Sequence, residues 1–267
     1  MGFLEQCKLG VKSPLVGLAA IILVSIGFQP PHRTTSLGEP RTSAEIRDTR
    51  RPAENGHEHQ AASKARKLLP VDEAAKDPTF KAFRDALIDA VKRKDTQFIL
   101  GVVAPNILND FGGGNGIQNF KTKWRLGKTE ESKLWAELDT VLSMGGSFRV
   151  EEGKKTFWAP YVYSAWPDEF DCGEDAQCYA VTGDHVNARR EPSSTAPIVA
   201  SLSYDIVKSK IEDTGSKKTP DGWIKVIVPG GATGYVATRF LRSPGDYRAG
   251  FAKVKGKWLM TAFIAGD

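Results

Sequence analysis

Apolar residues change their spacing along this chain, and the changes mark its elements. From Asp77 onward, Phe80, Phe83, Leu87 and Val91 recur at intervals of three and four, which is one face of a helix. Asp77 is placed to cap that helix, and Pro78 suits its first position because the missing N–H has no intrahelical partner there. A second short helix is expected over 96–104. The stretch "NDFGGGNGIQNFKTKW" then breaks and restarts, with Ile117, Phe120 and Trp124 on one side. A fourth helix is expected from Thr129 as cap through Leu134, Trp135, Leu138, Val141 and Leu142, stopped by Gly145-Gly146.

Beyond Gly146 the period falls to two. "SFRVEEGKKTFWAPYVYSAW" reads as strand, glycine turn and strand, with Phe148 and Val150 facing one way. Residues 180–243 continue as short strands split by turns. The end of the chain is a hairpin: Phe251 and Val254, a turn at Lys255-Gly256, then Trp258 to Ile264. There is no internal repeat. Helices followed by strands predict an α+β fold.

The first 28 residues have a different character. Lys8 and Lys12 precede an uncharged apolar run, Pro14 to Phe28, shorter than the roughly 20 residues of a membrane span. This segment is expected to be a signal peptide or an uncleaved membrane anchor, so the remainder is expected to be exported to the periplasm or cell envelope. Any membrane contact would run through this segment alone. Residues 29–76 carry hardly an apolar cluster and are expected to form a disordered tether, since burial would not repay the entropy of ordering them.

Charge and chemistry narrow the picture further. Lys and Arg number 37 against 32 Asp and Glu, a net charge of +5 spread along the sequence. A dedicated nucleic-acid surface would need that surplus gathered in one place. His32, His57 and His59 fall in the tether, leaving His185 as the lone histidine of the folded part. Cys7 precedes the apolar run, while Cys172 and Cys178 form a close pair. In an oxidising compartment that pair most simply makes a disulfide. A two-thiolate metal site is the rival, but no further Cys or His is near in sequence. Asp168, Glu169, Asp171, Glu174 and Asp175 crowd the same loop, in a spacing unlike an EF-hand, and are read as solvated. "FGGGNGIQNF" lacks the Gly-Lys-Ser/Thr of a phosphate loop, and its glycines are read as turn residues. No cofactor or metal is expected.

The third quarter carries a resemblance. Val186, Asn187, Arg189 and Pro192 stand as Val-Asn-x-Arg-x-x-Pro; Gly222, Trp223, Lys225 and Val226 as Gly-Trp-x-Lys-Val; Gly234, Tyr235, Val236, Phe240 and Leu241 as Gly-Tyr-Val and a closing aromatic-Leu. In order and spacing, these motifs over 182–243 resemble the bacterial SH3-like domain, a small β-barrel of exported envelope proteins. Pro192 with Ser193-Ser194 would supply its first sharp turn. Glu191 replaces a frequent Gly, and "SKIEDTGSKKTP" lengthens the loop before Trp223. The resemblance implies binding of peptidoglycan peptide or of an envelope protein partner, with Asn187, Arg189, Trp223 and Tyr235 as candidate ligand contacts. The alternative for Trp223 is a place in the core. More weakly, residues 77–165 with the terminal hairpin resemble the cone-shaped nuclear-transport-factor-like fold, in which helices lie across a curved antiparallel sheet.

The expected organisation is therefore a signal or anchor at 1–28 and a tether at 29–76. An α+β domain follows at 77–180, completed by 246–267, with an SH3-like barrel at 181–245. The expected function is non-catalytic binding in the envelope. The alternative is an enzyme or small-ligand-binding protein with its site in the 77–180 domain, where Asp95, Asp110 or Asp139 would act in a pocket.

Overall fold

Two sheets and five helices organise the protein in a computed structural model, which describes residues 66–266 except 152, 169, 171, 175 and 211–221. The signal or anchor, most of the tether, and His32, His57, His59 and Cys7 lie outside the described residues. Among the described residues, no helix is long and apolar enough to cross a membrane. The α+β class expected from the sequence is what the chain adopts.

Helix α1 (Pro78–Lys92) begins where the sequence places it. The Asp77 side chain accepts from the backbone N–H of Thr79 and Phe80, satisfying donors that the first turn leaves open. Helix α2 (Thr96–Val102) is capped by Asp95, whose side chain accepts from Phe98 N at 2.9 Å. It ends two residues before the expected boundary, because Val103 opens strand β1 (Val103–Leu108). Helix α3 (Ile117–Lys123) buries Phe120 and is followed by buried Trp124. The fourth helix is shorter than read: Thr129–Glu131 is a separate 3-10 turn, and α4 (Leu134–Ser143) buries Leu134, Trp135, Leu138, Val141 and Leu142.

The first sheet has the order β1-β12-β11-β3-β2, with β2 (Ser147–Glu151), β3 (Lys154–Ala159), β11 (Arg248–Val254) and β12 (Lys257–Ile264). The terminal hairpin therefore joins β3 on one side and β1 on the other, so the chain's end completes the sheet begun by residues 103–159. A lone hairpin is marginal in water, and this pairing stabilises it. Helices α1 to α4 cover one face. Phe80 lies at the centre of the core, with ring centroids 4.3 Å from Phe157, 4.9 Å from Trp258, 5.5 Å from Phe148 and 5.6 Å from Phe251. Val150 points the same way as Phe148 along β2 but lies beyond the packed region, 76% exposed.

After α5 (Tyr161–Ser164), the second sheet runs β10-β4-β7-β8-β9-β5-β6 among the described residues. Its members are β4 (Ala176–Val181), β5 (Val186–Arg189), β6 (Ile198–Leu202), β7 (Ile206–Lys210), β8 (Trp223–Ile227), β9 (Thr233–Ala237) and β10 (Leu241–Arg242). The sheet thus begins ahead of the expected boundary at 181, since β4 is wedged between β7 and β10. Val181, Val186, Ala188, Leu202, Val207, Val226, Val228 and Val236 fill its inner face. Cys172 and Cys178 lie at disulfide-bonding distance, with Cα atoms 5.6 Å apart, tying the preceding loop to β4.

Residues 66–76 correct the tether assignment. Leu68 is buried in a cluster with Tyr161 and Val162 of α5 and with Ala180 and Ile206 on the outer face of β4 and β7. Backbone bonds hold this strap to both sheets: Ile206 N to Arg66 O at 2.9 Å, Leu68 N to Tyr204 O at 2.8 Å, Gly146 N to Val71 O at 2.9 Å. Gly145 and Gly146 make the last contact possible. A Cβ on Gly145 would sit 2.5 Å from Val71 O, and one on Gly146 would sit 2.1 Å from Trp158 O. Burial does repay ordering here, because partners far along the chain supply the apolar surface.

Candidate functional site

Strand alternation decides which side chains of the second sheet are available. On β8, Ile224 and Val226 turn inward, so Trp223, Lys225 and Ile227 turn outward. The register then places Tyr235 of β9 directly opposite Lys225, and Ala237 opposite Trp223. Arg189 of β5 lies opposite Tyr235 on its other flank. Asn187, two residues back, shares that face while Val186 and Ala188 go to the core. Trp223 and Tyr235 are consequently diagonal neighbours, separated by roughly 7–8 Å at the backbone, within reach of aromatic side chains.

Gly234 is what lets β9 approach β5. A Cβ there would meet Ala188 Cβ and Arg189 O, each at 3.2 Å, so any side chain would force the strands apart. The turn from β8 to β9 uses left-handed backbone at Gly230 and Gly231, with φ of 95° and 88°. Gly222, just before Trp223, is left-handed as well, with φ of 86°.

All four side chains expected as ligand contacts are half-buried, and the structure brings them onto one face. Among the described residues, Trp223 belongs to no buried apolar cluster, and strand alternation turns it away from the one beneath β8. Arg189 carries a structural duty as well. Its guanidinium donates to Ala196 O at 2.6 Å, and Arg190 N donates to Pro197 O at 2.9 Å. Together these close the 190–197 loop, which explains why adjacent arginines stand beside a proline-broken turn. The Asn187 amide, the Trp223 indole N–H and the Tyr235 hydroxyl make no hydrogen bond to another protein group, and none is sealed from solvent. Lys225, at the centre of the same face, stands in the Gly-Trp-x-Lys-Val motif but is not among the expected contacts; strand alternation is what places it there. Ile198 and Val199 on edge strand β6 add exposed apolar surface.

The carboxylates of the alternative reading are dispersed. Asp95 caps α2. Asp110 accepts from Gly114 N at 3.0 Å and holds the glycine loop, which follows strand β1 rather than a helix. Asp139 is exposed on α4. Of the acidic loop, Glu169, Asp171 and Asp175 lie outside the described residues. Among the described residues, no group of three or more His, Cys, Asp or Glu is arranged to hold a metal ion.

Two clefts among the described residues bear on that reading. One, of 520 Å³, lies where the strap meets the end of α4, Tyr161, Thr182 and Arg239. Burial raises the Tyr161 phenol to about 12, and its hydroxyl has no partner. The other, of 310 Å³, is lined by Lys123, Trp124, Arg125, Glu131, Lys133, Glu137 and Tyr247. None of Asp95, Asp110 and Asp139 lines either.

No protein-family model, curated protein or solved structure matches the chain.

Proposed function

We propose that this chain is a non-catalytic cell-envelope binding protein, and that its seven-stranded unit is a bacterial SH3-like module. In this reading, Asn187, Arg189, Trp223 and Tyr235 form the contact face for peptidoglycan peptide or an envelope protein partner. One observation carries it: three neighbouring side chains on one sheet face hold hydrogen-bonding groups that the protein leaves unused, beside an outward-facing aromatic pair. Extended peptides and sugars offer flat apolar surface with polar edges, which such a pair matches. Arg189 and Lys225 add positive charge for the carboxylates of wall peptides. The N-terminal segment would deliver the chain to the envelope as a signal or an anchor.

The test is co-sedimentation of the full chain with purified peptidoglycan, comparing wild type with Trp223→Ala and Tyr235→Ala. Retention that falls in both variants while the thermal midpoint stays unchanged supports the proposal. Equal retention by all three proteins, or none by wild type, rejects the peptidoglycan assignment. A protein partner is then the remaining form of the proposal, sought by crosslinking from position 223 in intact envelopes.

A further inference from the structure

The geometry points to a second binding site, unrelated to the outer sheet face, in the 310 Å³ cleft between α3 and α4: it takes a small organic carboxylate with an apolar body. Clefts near this size suit small molecules when an apolar floor is joined by a few converging polar groups. Here the floor is aromatic. Tyr247 stacks on Phe263 with centroids 5.2 Å apart and leans on Trp124 at 5.1 Å.

Polar groups around that floor are left without protein partners. The Trp124 indole N–H is buried and makes no hydrogen bond. Such a donor normally finds an acceptor, because leaving it bare is costly. The Tyr247 hydroxyl makes no protein hydrogen bond, and Arg125 and Lys133 have no carboxylate partner. Lys123 is fixed in place, donating to Asn109 O at 2.6 Å with its ammonium 5.6 Å from the Tyr247 ring.

Arg125 is held in a conformation that its residue type disfavours. α3 ends in a Schellman turn: Leu126 N donates to Lys121 O at 3.0 Å and Arg125 N to Thr122 O at 3.1 Å. This leaves Arg125 left-handed at φ 51°, the position that glycine fills most cheaply. An arginine kept there at a conformational cost fits a residue retained for its side chain.

The lining charge sets the ligand's charge. Lys123, Arg125 and Lys133 stand against Glu131 and Glu137, three cations to two anions, an excess of one. Glu137 is already paired with Arg242 at 3.1 Å. Glu131 likewise has Lys128 beside it at 3.7 Å, so the balance favours an anion. The Arg125 guanidinium matches the in-plane acceptors of a carboxylate.

Calorimetric titration of the full chain with N-acetyl-phenylalanine and its C-terminal amide tests the site. The expected result is saturable binding of the carboxylate, with the amide weaker by about tenfold or more. Arg125→Gly is expected to weaken the carboxylate by a similar factor while leaving the melting temperature unchanged or higher, because glycine relieves the left-handed position. Lys133→Ala is expected to weaken it with no change in folding. A tripeptide with a free C-terminus that competes identifies a peptide end as the source of the carboxylate. A tripeptide that does not compete identifies a free acid, and both outcomes keep the site. No saturable carboxylate binding, equal binding of the amide, or undiminished binding by Arg125→Gly would overturn the inference. None of these outcomes bears on the peptidoglycan assay, which reads a different face.

Discussion

Lys67 and Asp205, 138 residues apart in sequence, meet at 3.1 Å, and the ion pair fastens the strap to the second sheet. Asp205 is nearly sealed from solvent and also accepts from Ser203 N at 2.7 Å. The bridging backbone bonds on either side make residues 66–71 a working part of the fold. Leu68→Ala removes a buried side chain from the cluster formed with Tyr161, Val162 and Ile206. The expected loss is about 2–5 kcal/mol, measured by urea unfolding of the full chain.

The aromatic centre of the first sheet should be the least tolerant position. Phe80 is fully buried and touches Phe83, Phe148, Phe157, Phe251 and Trp258. Phe80→Ala is expected to cost about 3–5 kcal/mol, whereas Val150→Ala, out on the exposed end of β2, should cost within about 0.5 kcal/mol. Denaturant midpoints of the two variants check the contrast.

Acid should destabilise the protein through the cap of α1. The Thr79 hydroxyl bond holds the Asp77 carboxyl down to about 2, helped by Phe80 N and by Lys253 and Lys155 nearby. A carboxylate with a depressed folded pKa contributes stability that is complete above its unfolded value of about 3.9. That contribution is lost as pH falls from there toward 2. Arg84 and Ala74 N likewise lower Asp72 against its burial, and Lys76 and Phe148 N lower Glu73, in the same direction. Melting temperature measured from pH 6 to pH 2 should therefore fall mainly below pH 4. Asp77→Ala should lose about 1 kcal/mol at pH 7 through the cap, and show a shallower fall in acid.

Much of this architecture is legible along the chain, for local reasons. Asp77-Pro78 and the run Phe80, Leu87, Val91 fix α1 because cap and apolar face lie within a few turns. The terminal hairpin is legible from Gly256 between alternating strands. Strand β1 is not, because Val103 follows an apolar helix without a break, and its strand state comes from parallel pairing with β12 over 150 residues later. The strap is not, because Leu68, Leu69 and Val71 make an apolar run too short to fill a core alone, and Leu68 borrows its cluster from β4, α5 and β7. β4 hides behind the acidic loop, and its membership of the second sheet is decided by β7 and β10.

The candidate face was more legible than the cleft. Asn187, Arg189, Trp223 and Tyr235 come in motifs whose glycines set strand turns, so alternation places them together. Trp124 was readable as a core position, and it is one, but the left-handed Arg125 beside it has no sequence signal short of the turn that holds it.

Outward aromatic residues should be separable from stability. Trp223→Ala and Tyr235→Ala remove side chains that take no part in the buried clusters, so each should shift stability by no more than about 1 kcal/mol. Val236→Ala, between them in effect but turned inward and fully buried, should cost more. Thermal melts of the three variants give the comparison.

The most direct test of the binding proposal is a residue-resolved titration of the isotope-labelled chain with soluble peptidoglycan fragments, followed by amide and indole N–H chemical shifts. The proposal predicts saturable shifts concentrated at Asn187, Arg189, the Trp223 indole, Lys225 and Tyr235. Shifts confined to the first sheet and its helices would contradict it, and none at millimolar fragment would contradict its peptidoglycan form.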